Sequence, residues 1–334
     1  MKNNLRIILF IILAVFLGFF TFSCKKNSNK MSDIIGISKI VAHPALDAVE
    51  QGIQDELKDQ GFTSLTFDLQ NANGDANTAK QIATKFKSEK VIAAIGIATP
   101  TAQALVGTLT DAPVIFSAVT DPVGAGLVGS LEKGDKNVTG ISDLTPVKEQ
   151  IKFLMKIKDI KSLGHVYTSS EANAVKLAEI AEKSCEELGI EFIGTTVTNS
   201  AEVKQAVQAI IDRVDAIYIS TDNTVVSALG AVTEVAMKNN IPIMSADPSS
   251  AETFDILAAW GFDYYKMGRA TGKMVAEILN GSKVEDMATR FMTDPSDVDL
   301  LINLDIAKQL GLSFPDDIVD IANKVVENGE LKTR

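Results

Sequence analysis

Apolar residues fall along the chain in two alternating patterns. Short continuous apolar runs recur at residues 35–41, 65–69, 91–97, 114–119, 164–167, 192–197, 216–220 and 241–244. Between them, apolar residues return every three or four positions, the period of one helix face. Such series are Leu46, Val49, Ile53, Leu57; Val147, Ile151, Leu154; Val203, Val207, Ile210, Val214; Val225, Leu229, Val232, Ala236; and Met267, Thr271, Met274, Ile278. Strands that are apolar throughout, alternating with amphipathic helices, predict an α/β fold whose mostly parallel sheets are covered on both faces. The pattern runs twice, over about residues 34–120 and 160–250, with a strand-like piece at 137–143 between. Two such units predict two lobes with a ligand cleft between them. The expected lobes are residues 32–142 with 263–292, and residues 143–262 with 293–334. Crossovers are expected at 137–143 and 261–263, where hinge closure concentrates.

Right-handed crossovers bring the carboxyl ends of parallel strands to one edge, where open α/β sheets bind ligands. The residues there are Ala42 and His43 after the first run; Thr99, Pro100 and Thr101 after the third; and Val119, Thr120 and Asp121 at the end of the fourth. In the second half they are Tyr167, Ser169, Glu171 and Asn173, then Thr221, Asp222 and Asn223, then Asp247. Singly, most read as helix caps, and Thr99-Pro100 reads as a cap and first-turn pair. As a set they predict a binding cleft. Helix N-termini near Thr99 and Thr101 suit a carboxylate. Asp121, Glu171, Asp222 and Asp247 suit an ammonium, with Asp247 and Asp121 leading. No Lys or Arg lies in these loops, so a zwitterion such as an amino acid fits better than a phosphate. Few rings lie near the strand ends; Phe116 and Tyr218 read as core, and Tyr167 ranks first for ligand contact.

Composition narrows the classes. The chain has 334 residues, 46 % hydrophobic and 22 % charged, with a formal net charge of −11. An acidic surface argues against a nucleic-acid partner. Two Cys and two His, without CxxC or HExxH spacing, argue against a zinc site. Lys2 and Arg6 precede an apolar run at 7–20 that is too short to span a bilayer, so residues 1–23 read as a signal peptide. Ser23-Cys24 followed by Lys25 resembles a bacterial lipoprotein cleavage site, which makes Cys24 a lipid anchor and 24–33 a tether. Plain secretion and an uncleaved anchor are the alternatives. Cys185 shares a helix face with Ala178, Ala181 and Leu188 and reads as a buried, inert thiol. Gly124-Ala125-Gly126-Leu127-Val128-Gly129 matches GxGxxG, but no full helix has room before Gly134, so it reads as a tight turn. His165 reads as packing, and His43 has no Ser or Cys partner. No catalytic set, cofactor motif or metal site emerges.

Several stretches together carry a resemblance. They are His43-Pro44-Ala45-Leu46-Asp47, Thr120-Asp121-Pro122-Val123-Gly124, Asn137-Val138-Thr139-Gly140-Ile141-Ser142-Asp143, Glu171-Ala172-Asn173, Thr221-Asp222-Asn223-Thr224-Val225 and Gly261-Phe262-Asp263-Tyr264-Tyr265. From about residue 34 to the end, the chain resembles the ABC-transporter substrate-binding proteins of the tryptophan/tyrosine type. The resemblance implies a type I periplasmic-binding-protein fold. It also implies an aromatic amino acid as ligand, delivered to a membrane permease and through it a cytoplasmic ATPase. Two departures flank the cleft: Ala42 stands where the family carries a larger polar residue, and the pattern around residues 247–255 is altered. The expectation is a monomeric binding protein, lipid-anchored at the outer face of the cytoplasmic membrane or in the periplasm. The alternatives are a branched aliphatic amino acid as ligand and an exported sensor docking on a membrane receptor.

Overall fold

In the computed structural model, which describes residues 33–334, each of the eight apolar runs contributes a strand. β1 (Ile34–Lys39), β2 (Thr66–Asn71), β3 (Ala93–Ile97), β4 (Val114–Ser117) and β5 (Val138–Ser142) make one parallel sheet in the order β2-β1-β3-β4-β5. β6 (Ser162–Thr168), β7 (Glu191–Val197), β8 (Ala216–Ile219), β9 (Ile243–Ser245) and β10 (Ala258–Phe262) repeat that order in a second sheet, β7-β6-β8-β9-β10. The chain then returns to both. β11 (Arg290–Phe291) pairs in parallel with β5, and β12 (Val298–Asn303) lies antiparallel to β10. β13 (Lys324–Glu327) and β14 (Glu330–Thr333) extend the second sheet from β12. The expected signal peptide at 1–23, the lipid anchor Cys24 and the tether up to residue 32 lie outside the described residues.

The cores explain the continuous apolar strands. β3 and β4 are buried along their whole length. In the second sheet, Tyr218 packs into one core, while its neighbours Ile217 and Ile219 pack into another. Successive strand side chains point to opposite faces, so both faces need apolar residues. In the first half, Leu46, Val49, Ile53 and Leu57 of the helix Pro44–Asp59 join Met267 and Met274 of the helix Tyr264–Leu279 in one core. Those two helices cross almost backbone to backbone. A Cβ at Gly52 would overlap the Tyr265 carbonyl oxygen, and one at Gly268 would overlap that of Val49. Their N-termini, at His43 and Tyr264, both reach the cleft between the two sheets.

Two periodic stretches differ from the sequence reading. Residues 225–236 are not one helix but parts of Asn223–Ser227 and Leu229–Lys238, separated at Ala228 (φ −111°, ψ 20°). The Ser227 hydroxyl donates to the Thr224 carbonyl 2.7 Å away, a local bond that competes with a continuing helical ladder. The helix at 203–214 ends at Ile210. Val214 is extended because Asp215 turns to accept from the Lys161 and Ser162 N–H groups at 2.7 and 2.9 Å.

Candidate functional site

Strand order 2-1-3-4-5 reverses direction between β1 and β3, and the second sheet reverses likewise between β6 and β8. Ligands bind beyond the strand carboxyl ends at such switch points. Between these two edges lies a small, narrow cavity. Its first wall is His43, Ala45, Leu46, Ala118, Thr120, Asp143 and Tyr264. Its second is Asn173, Thr221, Asp222, Asn223, Val226 and Asp247.

Three carboxylates are enclosed here, each 3 % exposed or less. Asp222 is the N-cap of Asn223–Ser227: it accepts from Val225 N–H at 3.0 Å, and from Thr168 N–H and Oγ1 at 2.6 and 2.8 Å. Asp247 caps Pro248–Ala251, accepting from Ser249 N–H at 3.0 Å and from the Ser249 and Ser250 hydroxyls. Capping and cavity lining are therefore one placement, because the strand end is also the helix start. Asp143 has weaker support, two hydroxyls: Thr120 Oγ1 at 3.1 Å and Tyr264 OH at 3.2 Å. No Lys or Arg lines the walls. The His43 ring nitrogens are enclosed without hydrogen-bond partners; Asn223 lies beside the ring but outside hydrogen-bond geometry. Burial lowers the His43 pKa against the nearby charges of Asp247 and Asp47, which favours a neutral imidazole.

The electrostatic consequence is a proton balance. Burial pushes the Asp143 carboxyl up to about 6. Burial, then the charge of Glu171, pushes Asp222 up to about 7. Both groups hold protons in the folded protein that the unfolded chain releases above its ordinary carboxylate range. Their contribution to stability is therefore present at low pH and lost as pH rises through about 6 and about 7. His165, held down to about 4 by burial, has the opposite sign, so its contribution is lost on acidification.

The other expected residues lie around this cavity or apart from it. Glu171 sits behind the second wall and binds Asn173, Asn223 and Thr224. Asp121, ranked with Asp247 for an ammonium, is instead at the cleft rim. There it accepts from Gly124 N–H at 2.8 Å and pairs across the cleft with Lys176 at 3.3 Å, so its charge is already answered. Ser169 is on the same rim and exposed. Tyr167 stacks on His165 with ring centroids 5.8 Å apart, and is not in the cavity wall. Val119 belongs to the first core, and Ala42 is exposed beside His43. Thr99, Pro100 and Thr101 are not in the wall. Thr99 is not a cap either: Ala98 occupies that position at φ 76°, Thr99 is already helical, and Thr101 bonds back to Ile97 O at 2.6 Å. Residues 122–126 are consecutive turns, followed by bends at 127 and 129 with no helix behind them, and Gly126 sits at φ 72°. Cys185 is buried, its thiol pushed up to about 12 by burial. Sequence reasoning missed Asp143, Tyr264, Ala118, Ala45, Leu46 and Val226. The signal for the first two was present, since both lie in segments that carried the family resemblance, but these segments read only as crossovers.

The model of a family described as ABC transporter substrate binding protein matches residues 34–326. A tyrosine-binding protein of Clostridioides difficile (strain R20291) is 35 % identical over 292 residues, covering 86 % of this chain and 84 % of that protein. The structure of an ABC domain from Streptococcus pneumonia in complex with L-Trp is 32 % identical, spans 88 % of this chain and 100 % of its own, and superposes with a TM-score of 0.84. The ligand-free, open structure of a substrate-binding protein with adhesive properties from Clostridium difficile is 35 % identical over 90 % of this chain and 99 % of its own, with a TM-score of 0.66. Two α/β sheets of matching strand order, a cavity between their switch edges and these likenesses agree: the chain belongs to the ABC transporter substrate-binding protein family, solute-binding proteins of the type I periplasmic-binding-protein fold and not enzymes.

Proposed function

We propose that this protein captures an aromatic amino acid outside the cytoplasm and delivers it to an ABC permease and, through that permease, a cytoplasmic ATPase. The observation that carries the reading is the cavity itself: three enclosed carboxylates and no basic side chain but a neutral imidazole. A buried charge is costly unless paired, so such a cavity favours a ligand that brings its own cation. An ammonium does so, and the apolar residues Ala45, Leu46, Ala118 and Val226 in the same walls offer an apolar surface to a side chain beside it. Support for an aromatic ligand comes from the tyrosine-binding relative and the L-Trp complex. The closer superposition on that complex than on the open structure supports a closed arrangement here.

In this reading the lobes comprise 33–142 with 263–292, and 143–262 with 293–334. They rotate about the three segments after β5, β10 and β11, where the chain crosses from one lobe to the other. Cys24 carries the lipid that holds a monomer at the outer face of the membrane. The test is thermal-shift screening of the lipid-free protein against the twenty amino acids. A ligand at 100 times its dissociation constant adds ~2.7 kcal/mol of stability. A clear shift with Trp, Tyr or Phe is expected; a shift with Leu, Ile or Val alone reassigns the ligand, and a shift with a sugar alone overturns the reading.

Affinity should also depend on pH. Asp143, pushed up to about 6, must lose its proton to pair with the ammonium. Binding is expected to be level above pH 7 and to weaken by up to about tenfold per unit as pH falls below about 6. Calorimetry at pH 5 to 8, in two buffers of different ionisation enthalpy, reads both the loss and the released proton. A flat profile would remove Asp143 from the ammonium site.

A further inference from the structure

Glu171 precedes the helix Ala172–Leu188 and is 6 % exposed, yet it is not in the wall of the central cavity. Its carboxylate is fully engaged by the second half of the molecule. Oε2 accepts from Asn223 Nδ2 at 2.5 Å and from Asn173 Nδ2 at 3.4 Å. Oε1 accepts from Thr224 Oγ1 at 2.7 Å and from Thr224 N–H at 3.2 Å. Asn173 Nδ2 also donates to the Thr221 carbonyl at 3.0 Å. A carboxylate and a carbonyl can only accept, so chemistry, not a choice between look-alike atoms, turns both amide NH₂ groups towards Glu171 and Thr221. Neither amide oxygen can then face Glu171. The Asn173 oxygen is enclosed and has no partner in the protein, on a residue only 3 % exposed that lines the cavity.

We propose that Glu171 is a positioning residue that sets the polarity of the ligand cavity, drawing the NH₂ ends of Asn173 and Asn223 away so that the Asn173 oxygen accepts from the ligand's ammonium. The inference rests on the amino-acid reading of the cavity and adds to it a specificity device. A glutamine would fill the same space without raising the electrostatic load on Asp222. It would also lose the property that matters here, because its own NH₂ donates to an asparagine oxygen and lets the amides turn over.

The test is the variant Glu171→Gln, titrated by calorimetry with L-tryptophan or L-tyrosine, whichever the parent binds more tightly, and with its deaminated propanoate analogue. The expected result is a loss of at least tenfold for the amino acid and less than threefold for the analogue, so that discrimination between them narrows. Glu171→Asp, which keeps an acceptor-only group, should recover part of the discrimination. Asn173→Leu, which removes the oxygen directly, should narrow it as well and covers the case in which Glu171→Gln does not fold. Parental affinity in Glu171→Gln, an equal loss for both ligands, or intact discrimination in Asn173→Leu overturns the proposal while leaving the ligand reading in place. If the parent itself binds no aromatic amino acid, the ligand reading fails and this inference falls with it.

Discussion

Replacing Asp143 by Asn is expected to weaken binding of the aromatic amino acid by roughly 2–4 kcal/mol, the range for removing one partner of a desolvated charge pair. That is roughly a 30- to 1,000-fold rise in Kd. Asp143 is singled out by the supply of hydrogen bonds to each enclosed carboxylate. Asp222 and Asp247 each accept from a backbone N–H at a helix start as well as from hydroxyls. Asp143 accepts only two hydroxyl bonds of 3.1 and 3.2 Å from other side chains. It retains the largest demand for a donor, and an ammonium meets that demand. The same change removes a charge that burial disfavours, so the ligand-free variant should melt no lower than the parent. Calorimetry for affinity and scanning calorimetry for melting read the two effects separately. Parental affinity would move the ammonium to Asp247. A lower melting point would mean that Asp143 is needed to hold Thr120 and Tyr264 in place. The corresponding Asp247→Asn change is a poorer probe, because it also disturbs the cap of Pro248–Ala251.

The second large effect is on stability. Alanine in place of glycine in a helix interior ordinarily stabilises by up to about 1 kcal/mol. At Gly268 the sign should reverse. The new Cβ would overlap the Val49 carbonyl oxygen, and backbone of a packed helix cannot move aside alone. Overpacking of this kind costs typically about 1–3 kcal/mol, and the upper end is expected for Gly268→Ala and for Gly52→Ala, which meets the Tyr265 carbonyl. Pushing the helices Pro44–Asp59 and Tyr264–Leu279 apart also separates their N-termini, where His43 and Tyr264 line the cavity. Ligand affinity should therefore fall together with the melting temperature. Denaturant unfolding and ligand titration of the two variants check this; a Gly268→Ala protein as stable as its parent would show that the crossing has slack.

How far each feature is legible in the chain depends on the range over which it is decided. The α/β alternation, the doubled pattern and the placement of polar groups at strand ends are local. Periodicity and the residues that start helices announce them, which is why Asp222, Asn223, Asp247, His43 and Asn173 could be named from the strand ends alone. The break at Ala228 escaped because apolar spacing continues across it, while a single hydroxyl bond from Ser227 redirects the backbone. The rank of the carboxylates escaped for a different reason. Asp121 and Asp143 look alike in the chain, but one meets Lys176 across the rim and the other meets Tyr264, 121 positions away.

The sequence by itself therefore determined the class of fold, the sheet edge where a ligand would sit and the acidic, lysine-poor chemistry of that edge. All of these follow from residue type and spacing over a few turns or strands. Only the tertiary structure decided which of those residues share an enclosed space. Burial and opposite charge act between groups brought together by folding: they neutralise Asp121 at the rim, leave Asp143 undersupplied in the cavity and stack Tyr167 on His165. Desolvation depends on what surrounds a group in three dimensions, and no spacing along the chain encodes it.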